Sequence, residues 1–402
     1  MSEANFSRLD PHSQKPIRLL IVAPSLRILG GQAVQANYLL DKLSREPLFE
    51  VSFLPHNPRL PGPLSLLQSI KYLRTLVTSL AYCINLLIEI PKYDIVHVFS
   101  ASYFSFLLAP TPAIFVARAF GKKVILNYHS GEAEDHLRCW PRTAVPIMQL
   151  ADALIVPSRY LVDVFRKFGL CAYAIANIID RERFSFRERR PLLPIFLSNR
   201  NLYPLYNVDC ILRAFAIIQR KFPDAKLTIA GDGNQRPSLE ALAHDLKLSN
   251  VEFRGLIPPD KMSQLYDEAH IFLNSSNIDN MPGSILDSFA AGLPVVSTSA
   301  GGISCMVTHE KTGFLVPKND HQAMASSAIR LLESPELASS IARNAYEECP
   351  AYTWPAVREA WLSTYRHLAG RETSADAVAA AGQMIRTSPF GATGEAERAS
   401  RL

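Results

Sequence analysis

The 402-residue chain is poor in cysteine, and none of its six cysteines (Cys83, Cys139, Cys171, Cys210, Cys305 and Cys349) stands in a C-x-x-C pair. Scattered thiols exclude a disulfide frame and a compact cysteine zinc site, and they fit a reducing compartment. No G-x-G-x-x-G run is present, which argues against a dinucleotide-dependent oxidoreductase. Long hydrophobic runs are also lacking. The longest uncharged apolar stretch, Thr75 to Ile88, is broken by Thr78, Ser79 and Asn85 and is too short for a hydrocarbon layer of ~30 Å. Residues 1–16 are polar and mixed in charge, so no signal peptide is expected there. These absences predict a cytoplasmic protein, soluble or at most attached to the cytoplasmic face of a membrane.

What is present is enough for sizeable cores. Apolar residues make up 48% and charged residues 20% of the chain, which excludes wholesale disorder, and the length asks for two or three domains. Lys plus Arg number 42 against 37 Asp plus Glu, mostly interleaved, so no nucleic-acid partner is expected. The densest basic stretch, Arg181 to Arg190, holds five Arg against two Glu and reads as a solvated linker rather than an anion patch.

Ile17 to Ala23 is a continuous apolar run, as in a parallel strand buried on both faces. Further strands are expected at 50–54, 94–99, 123–127, 153–156 and 172–175, with helices at 32–43, 102–119, 143–151 and 158–168. Leu66, Ile70, Leu73, Val77, Leu80, Ile84 and Leu87 recur at alternating spacings of four and three. That stripe predicts one helix facing the core, in preference to a membrane-surface helix. After Pro194 the alternation restarts, with strands near 195–198, 226–230, 251–254, 271–274, 295–297 and 313–316. Repeated β–α–β order predicts an α/β protein with parallel sheets covered on both faces. The expected organisation is a flexible N-terminus (1–16), a first Rossmann-like domain (17–185), a linker (186–194), a second such domain (195–350), a final helix region (351–370) and a disordered tail (371–402).

Parallel sheets bind ligands beyond the carboxyl ends of their strands. Gly30 and Gly31 follow the first strand and open a helix, where backbone amides can meet an anion. His129 follows a strand end; a structural role is as compatible with it as a catalytic one. Asp279 lies in a loop after a strand, Pro282 and Gly283 mark a helix start, and Asp287 falls one turn inside. Two carboxylates eight residues apart therefore flank a helix N-terminus. They could take sugar or ribose hydroxyls while free amides take a phosphate, or serve as an ordinary cap and first-turn acid.

The run from Asn274 to Gly302 resembles the acidic Glu-x7-Glu segment of family-4 retaining glycosyltransferases. Val156-Pro157-Ser158, Asn177 to Phe184, Ala230-Gly231-Asp232-Gly233 and Thr312-Gly313-Phe314 fall in that family's order. The resemblance implies a GT-B fold, two Rossmann-like domains facing a cleft, and transfer of a sugar from a nucleotide-diphosphate donor to a glycan, lipid-linked or small hydroxyl acceptor, as in polysaccharide biosynthesis. It places His129 and Asp279 at the transferred sugar, Asp287 at the nucleotide ribose, and Gly30 and Gly31 at the diphosphate. Asn280, Met281, Pro282, Gly283, Ser284 and Ile285 would form a loop whose amides hold sugar and phosphate. Both acids are Asp where the family has Glu. The family's diphosphate-holding Arg and Lys correspond to Asn201 and Tyr206, with Arg200 beside them as a substitute. No cofactor or metal is implied, and no Asp-x-Asp clamp occurs. A catalytically silent paralogue that binds a sugar nucleotide or a protein is the alternative, and peripheral membrane contact is a further expectation.

Overall fold

The computed structural model describes residues 15–371 apart from 27–29, 61 and 71–72; of the tail expected over 371–402 all but Arg371 lies outside the described residues, as do residues 1–14. Two six-stranded parallel sheets carry the fold. The first is built from β1 (Ile17–Ala23), β2 (Phe49–Pro55), β3 (Ile95–Ser100), β4 (Lys123–Tyr128), β5 (Ala153–Val156) and β6 (Tyr173–Ala174), in the order β2-β1-β3-β4-β5-β6. The second contains β7 (Ile195–Asn199), β8 (Lys226–Ala230), β9 (Val251–Gly255), β10 (Ile271–Asn274), β11 (Val295–Thr298) and β12 (Phe314–Val316), in the order β12-β11-β10-β7-β8-β9. This is the GT-B architecture. The central strands are nearly all-apolar runs because both faces are covered: β3 is buried at all six positions and β10 at all four, whereas the edge strands β2 and β9 keep exposed positions.

Strand order reverses between β1 and β3 in one sheet and between β7 and β10 in the other. Helices leave opposite faces of a sheet at such a point, so a crevice opens beyond the strand ends. The loops carrying Gly30, Arg200 and Asp279 all leave from these strands.

The last helix, Trp354–Leu368, follows the second sheet in sequence but packs on the first. Val357, Trp361, Leu362 and Tyr365 share a core with Ile17, Leu19 and Ile21. The Tyr365 hydroxyl lies 2.7 Å from Nδ1 of the fully buried His97, and Arg358 pairs with Glu46. The guanidinium hydrogen bond holds the Glu46 carboxyl below the usual range.

Several sequence expectations need correction. The helix expected over 102–119 is two helices, Tyr103–Leu108 and Pro110–Ala119, because Pro110 has no N–H to donate and Ala109 before it is distorted to φ −112, ψ −70. A helix at Ala133–Cys139 was not foreseen. The long stripe divides into a 3-10 segment, Gly62–Ser69, and a helix, Leu73–Glu89, whose buried residues are Tyr82 and Leu86. Leu80, Ile84 and Leu87, expected to face the core, are exposed. Leu73–Lys92 is also long and apolar enough, by length and composition, to cross a membrane, though here it lies along the first domain.

The basic stretch is no solvated linker either. Arg189 is buried and donates to the carbonyls of Ala269 (2.5 Å), Ala291 (2.7 Å), Gly292 (3.2 Å) and Tyr266 (3.0 Å). These carbonyls end the helices Met262–Glu268 and Gly283–Ala291, where partial negative charge collects. One cation thus fastens the linker to the underside of the helix that bears Asp287. Arg189→Met should leave those carbonyls unpaired and cost about 2–4 kcal/mol. Urea unfolding would show it as a lower midpoint; an unchanged midpoint would mean that water replaces the guanidinium without loss.

Candidate functional site

The loop after β7 is held by the loop after β8. Arg200 N–H donates to Ala230 O and Leu202 N–H to Asp232 O, each at 3.0 Å. Gly231, at φ +125, permits the approach, since a Cβ there would stand 2.1 Å from the Arg200 carbonyl oxygen. The Arg200 side chain is only 12% exposed and its Nη2 donates to Asp279 Oδ2. Its guanidinium carbon sits 4.2 Å from the centre of the Tyr206 ring, a cation–π contact. Arg200 Nε has no partner.

Asp279 belongs to the loop after β10. Its carbonyl accepts from Gly302 N–H (3.2 Å), and its Oδ1 from Asn280 N–H (3.0 Å). A Cβ on Gly302 would lie 2.2 Å from Asn280 O, so the double glycine is the floor on which this loop rests. The first domain grips the same loop from across the cleft. Ser158 Oγ bonds Asn280 Oδ1, and Asn177 Nδ2 donates to Met281 O at 3.0 Å. Gly131 is so close that a Cβ would come 2.9 Å from the Asp279 backbone.

Between the domains lies a cavity of about 290 Å³. Gly30, Gly31, Arg200, Asn201, Tyr206, Met281, Gly283, Ser284 and Asp287, all named from sequence, line it. Helices begin at Gly31 on one wall and at Gly283 on the other, so unsatisfied first-turn amides face one space from both domains. Leu256, Ile257 and Met262 add an apolar wall. Burial pushes the Asp287 carboxyl up to about 7, with Arg183 opposing the shift. No hydrogen bond reaches that carboxylate among the described residues, which leaves its oxygens free toward the cavity.

Some expected residues are placed elsewhere. Ile285 is fully buried in the core and its N–H bonds to Pro282 O at 3.2 Å, so it offers no amide to a ligand. Asn280, 2% exposed, is packed between Ser158 and Gly302 rather than on the cavity wall, and Pro282 has no N–H to give. Asp279 stands beside the cavity rather than in its lining, against Gly131 of the first domain, and His129 lies outside that lining too, among Gln35, Phe99, Asn177 and Trp361. The His129 ring stacks on Phe99 at 5.1 Å, its Nε2 is buried without a partner, and burial pulls its pKa down to about 3. Burial thus favours its neutral imidazole form.

The sequence reading missed Tyr38 and Gln35, and it named the run Asn177 to Phe184 without assigning a role to Asn177 or Arg183. Arg183 comes from the basic stretch taken for solvated linker. It donates to the Tyr38 hydroxyl (2.7 Å) and to Pro259 O, and it lines the cavity near Asp287. It brings a second cation to a site whose usual Arg and Lys positions hold Asn201 and Tyr206. Gln35 exchanges two bonds with the Ile178 backbone, 2.7 and 2.8 Å, fastening the Gly31 helix to the domain boundary.

Residues 29–183 match the family described as Glycosyltransferase Family 4, and residues 180–348 match Glycosyl transferases group 1. The chain is 26% identical over 314 residues to the sulfoquinovosyl transferase SQD2 of Arabidopsis thaliana, covering 71% of this chain and 59% of that protein. It is 30% identical over 253 residues to a D-inositol 3-phosphate glycosyltransferase of Acidothermus cellulolyticus, covering 57% of this chain and 56% of that protein. The match thus spans somewhat over half the length of these relatives. Among solved structures, the sucrose-phosphate synthase of Thermosynechococcus elongatus superposes with a TM-score of 0.72 at 19% identity, covering 89% of this chain and 100% of that one. Anabaena HepE in complex with UDP and glucose gives 0.69 at 17%, covering 87% and 99%. These likenesses establish the fold.

The raised Asp287 pKa sets a sign. Below the unfolded value near 4 the group is protonated in both states and costs nothing; as pH rises toward 7 the folded state loses stability, and the loss is complete above that. Asp287→Asn should therefore stabilise the ligand-free protein by about 2–4 kcal/mol at pH 8 and by almost nothing at pH 4. Melting curves across that range test it; a pH-independent difference would refute it.

Proposed function

We propose that this chain, whose two domains match glycosyltransferase families and share the GT-B fold, is a retaining, metal-independent hexosyltransferase. It would move a sugar from a nucleotide-diphosphate donor to a hydroxyl of a glycan, lipid-linked or small acceptor, in polysaccharide or glycoconjugate synthesis at the cytoplasmic face of a membrane. One observation carries the reading: two helix N-termini from opposite domains open on one cavity that also holds two arginines and an unpartnered carboxylate. That set matches a nucleotide diphosphate in charge and shape. Named relatives are transferases of sugars, and a structural neighbour holds UDP and glucose, which supports the donor class.

The donor diphosphate would lie between Gly30–Gly31 and Gly283–Ser284, with Arg200 and Arg183 on its flanks. Asp287 would accept the ribose hydroxyls, and the apolar wall of Leu256 and Ile257 would face the base. As the anomeric bond breaks, negative charge gathers on the leaving phosphate, where amides and guanidinium already point. Arg200 needs little ordering because Asp279 and Tyr206 already hold it. Neutral His129 would hydrogen-bond the sugar without titrating. On this reading the acceptor attacks from the face the leaving group departs, and the phosphate oxygen takes the acceptor's proton.

A silent paralogue remains the competing reading, because Asn201 and Tyr206 supply no cation. Thermal stabilisation by a panel of UDP-, GDP- and ADP-sugars, followed by mass spectrometry of products, separates the two. Transfer or donor hydrolysis is expected; tight binding with neither would sink the enzyme reading. His129→Ala should lower turnover roughly 100-fold or more without changing the melting temperature. Asp279→Asn should cost as much activity and also lower the melting temperature, since it strands the buried Arg200.

A further inference from the structure

His97 is a polar side chain in an apolar place. It stands between Ile95 and Phe99 on the face of β3 that the returning helix covers, and it is fully buried. An isoleucine there would pack without a polar atom to satisfy. Its Nδ1 lies 2.7 Å from the Tyr365 hydroxyl, and its ring is 5.2 Å from that of Trp361. The same ring stacks on Phe99 at 5.0 Å with planes 8° apart, and Phe99 stacks on His129 at 5.1 Å with planes 18° apart. These rings form one column. It starts on the last helix, runs along β3 toward the carboxyl end of the strand, and stops at His129 just beyond the end of β4. The His129 N–H donates to Ser100 O at 3.1 Å, which ties the head of the column to the end of β3.

The column is what orients the His129 ring. Among the described residues no side-chain hydrogen bond reaches that ring, and its Nε2 is buried without a partner. His97 Nε2 and Trp361 Nε1 are likewise without partners. The contact of Tyr365 with His97 is therefore the one side-chain hydrogen bond in the column. Stacked rings can slide or turn over one another, whereas a hydrogen bond has a preferred direction and holds the far end in one register. Burial pulls both imidazoles down to about 3, so the two histidines are uncharged near neutral pH and do not repel.

We propose that Tyr365 and His97 are positioning residues for His129. The last helix sets the angle of that imidazole through the column, so its return to the first domain serves transfer as well as folding. The role in transfer rests on the reading above in which His129 meets the transferred sugar; the coupling of helix to imidazole does not.

Tyr365→Phe deletes the hydroxyl and keeps the ring. At a temperature well below melting it should lower kcat with a nucleotide sugar about tenfold or more, while KM for that donor changes by less than about twofold. In a His129→Ala background the same change should lower kcat no further, because residues that act through one group do not add. Val357→Ala loosens the same helix at a core residue outside the column. It should lower the melting temperature and leave kcat as in the wild type. Ring-nitrogen NMR of the full chain labelled at histidine gives a readout that needs no donor. The His129 signal, identified by its loss in His129→Ala, should move in Tyr365→Phe and in Trp361→Phe and stay in place in Val357→Ala. Losses that add in the double variant, an equal fall of kcat in Val357→Ala, or a His129 signal indifferent to Tyr365→Phe would each overturn the proposal. A signal that moves in a protein with no transferase activity would remove the transfer reading and leave the coupling standing.

Discussion

The buried ion pair between Arg200 and Asp279 is the joint on which the cleft depends. It ties the loop after β7 to the loop after β10 at the point where strand order reverses, the one place in the second sheet where a crevice must open. Taking both charges out of water is costly, and a well-packed apolar pair would be as stable or more so. Here the cost is not minimised, because Arg200 Nε stays unpartnered. A fold selected for stability alone would not keep that arrangement, and a cation held ready beside two helix N-termini gives it a use. The loop it secures is gripped from below by Gly302 and from across the cleft by Ser158 and Asn177, so the position of Asp279 reports how the two domains meet.

The charge inventory of the cavity follows from that joint. The expected arginine and lysine positions hold Asn201 and Tyr206, yet the space is not without cations. Arg200 enters from the second sheet's switch point, and Arg183 enters from the boundary between the domains. Opposite them Asp287 sits with its carboxyl near half-protonated at neutral pH. A group held this far from its ordinary value by burial destabilises the empty protein and gains most when a hydroxyl-bearing ligand satisfies it.

The strands and their parallel order were legible in the sequence, because a strand covered on both faces can only be a continuous apolar run. The loops at the strand ends were legible through glycine, since Gly231 and Gly302 stand where any Cβ would collide with a neighbouring backbone. Three things were not. Arg189 looked solvated because its acceptors are carbonyls at the ends of two helices far along the chain, which composition cannot register. Arg183 was hidden in the same basic run. The Leu66–Leu87 stripe was read as one helix facing the core, but its first part is a 3-10 segment, and in the helix Leu73–Glu89 it is Tyr82 and Leu86, off the stripe, that took the core: periodicity shows which residues share a face, not which face is covered. Ile285 shows the same limit at smaller scale, because a motif places a residue in a loop but cannot tell whether its amide is already spent on a carbonyl three residues back.

The misread helix face bears on how the domains divide labour. In the second domain, apolar surface goes almost wholly into two cores on either side of the sheet, and its loops supply the charged side of the cleft. In the first domain part of the apolar surface is left outside, on the helix Leu73–Glu89, where Leu76, Leu80, Ile84, Leu87 and Ile88 are exposed. Free energy from burying that surface is not spent on folding the domain, so it is available to association. The returning helix Trp354–Leu368 is consistent with this division. It covers the face of the first sheet that carries Ile17, Leu19 and Ile21, through Trp361, Tyr365 and the Arg358–Glu46 pair, while the opposite face, with Leu20, Val22 and Val96, is covered by the chain's other helices through Tyr82, Leu86, Phe106 and Ile114.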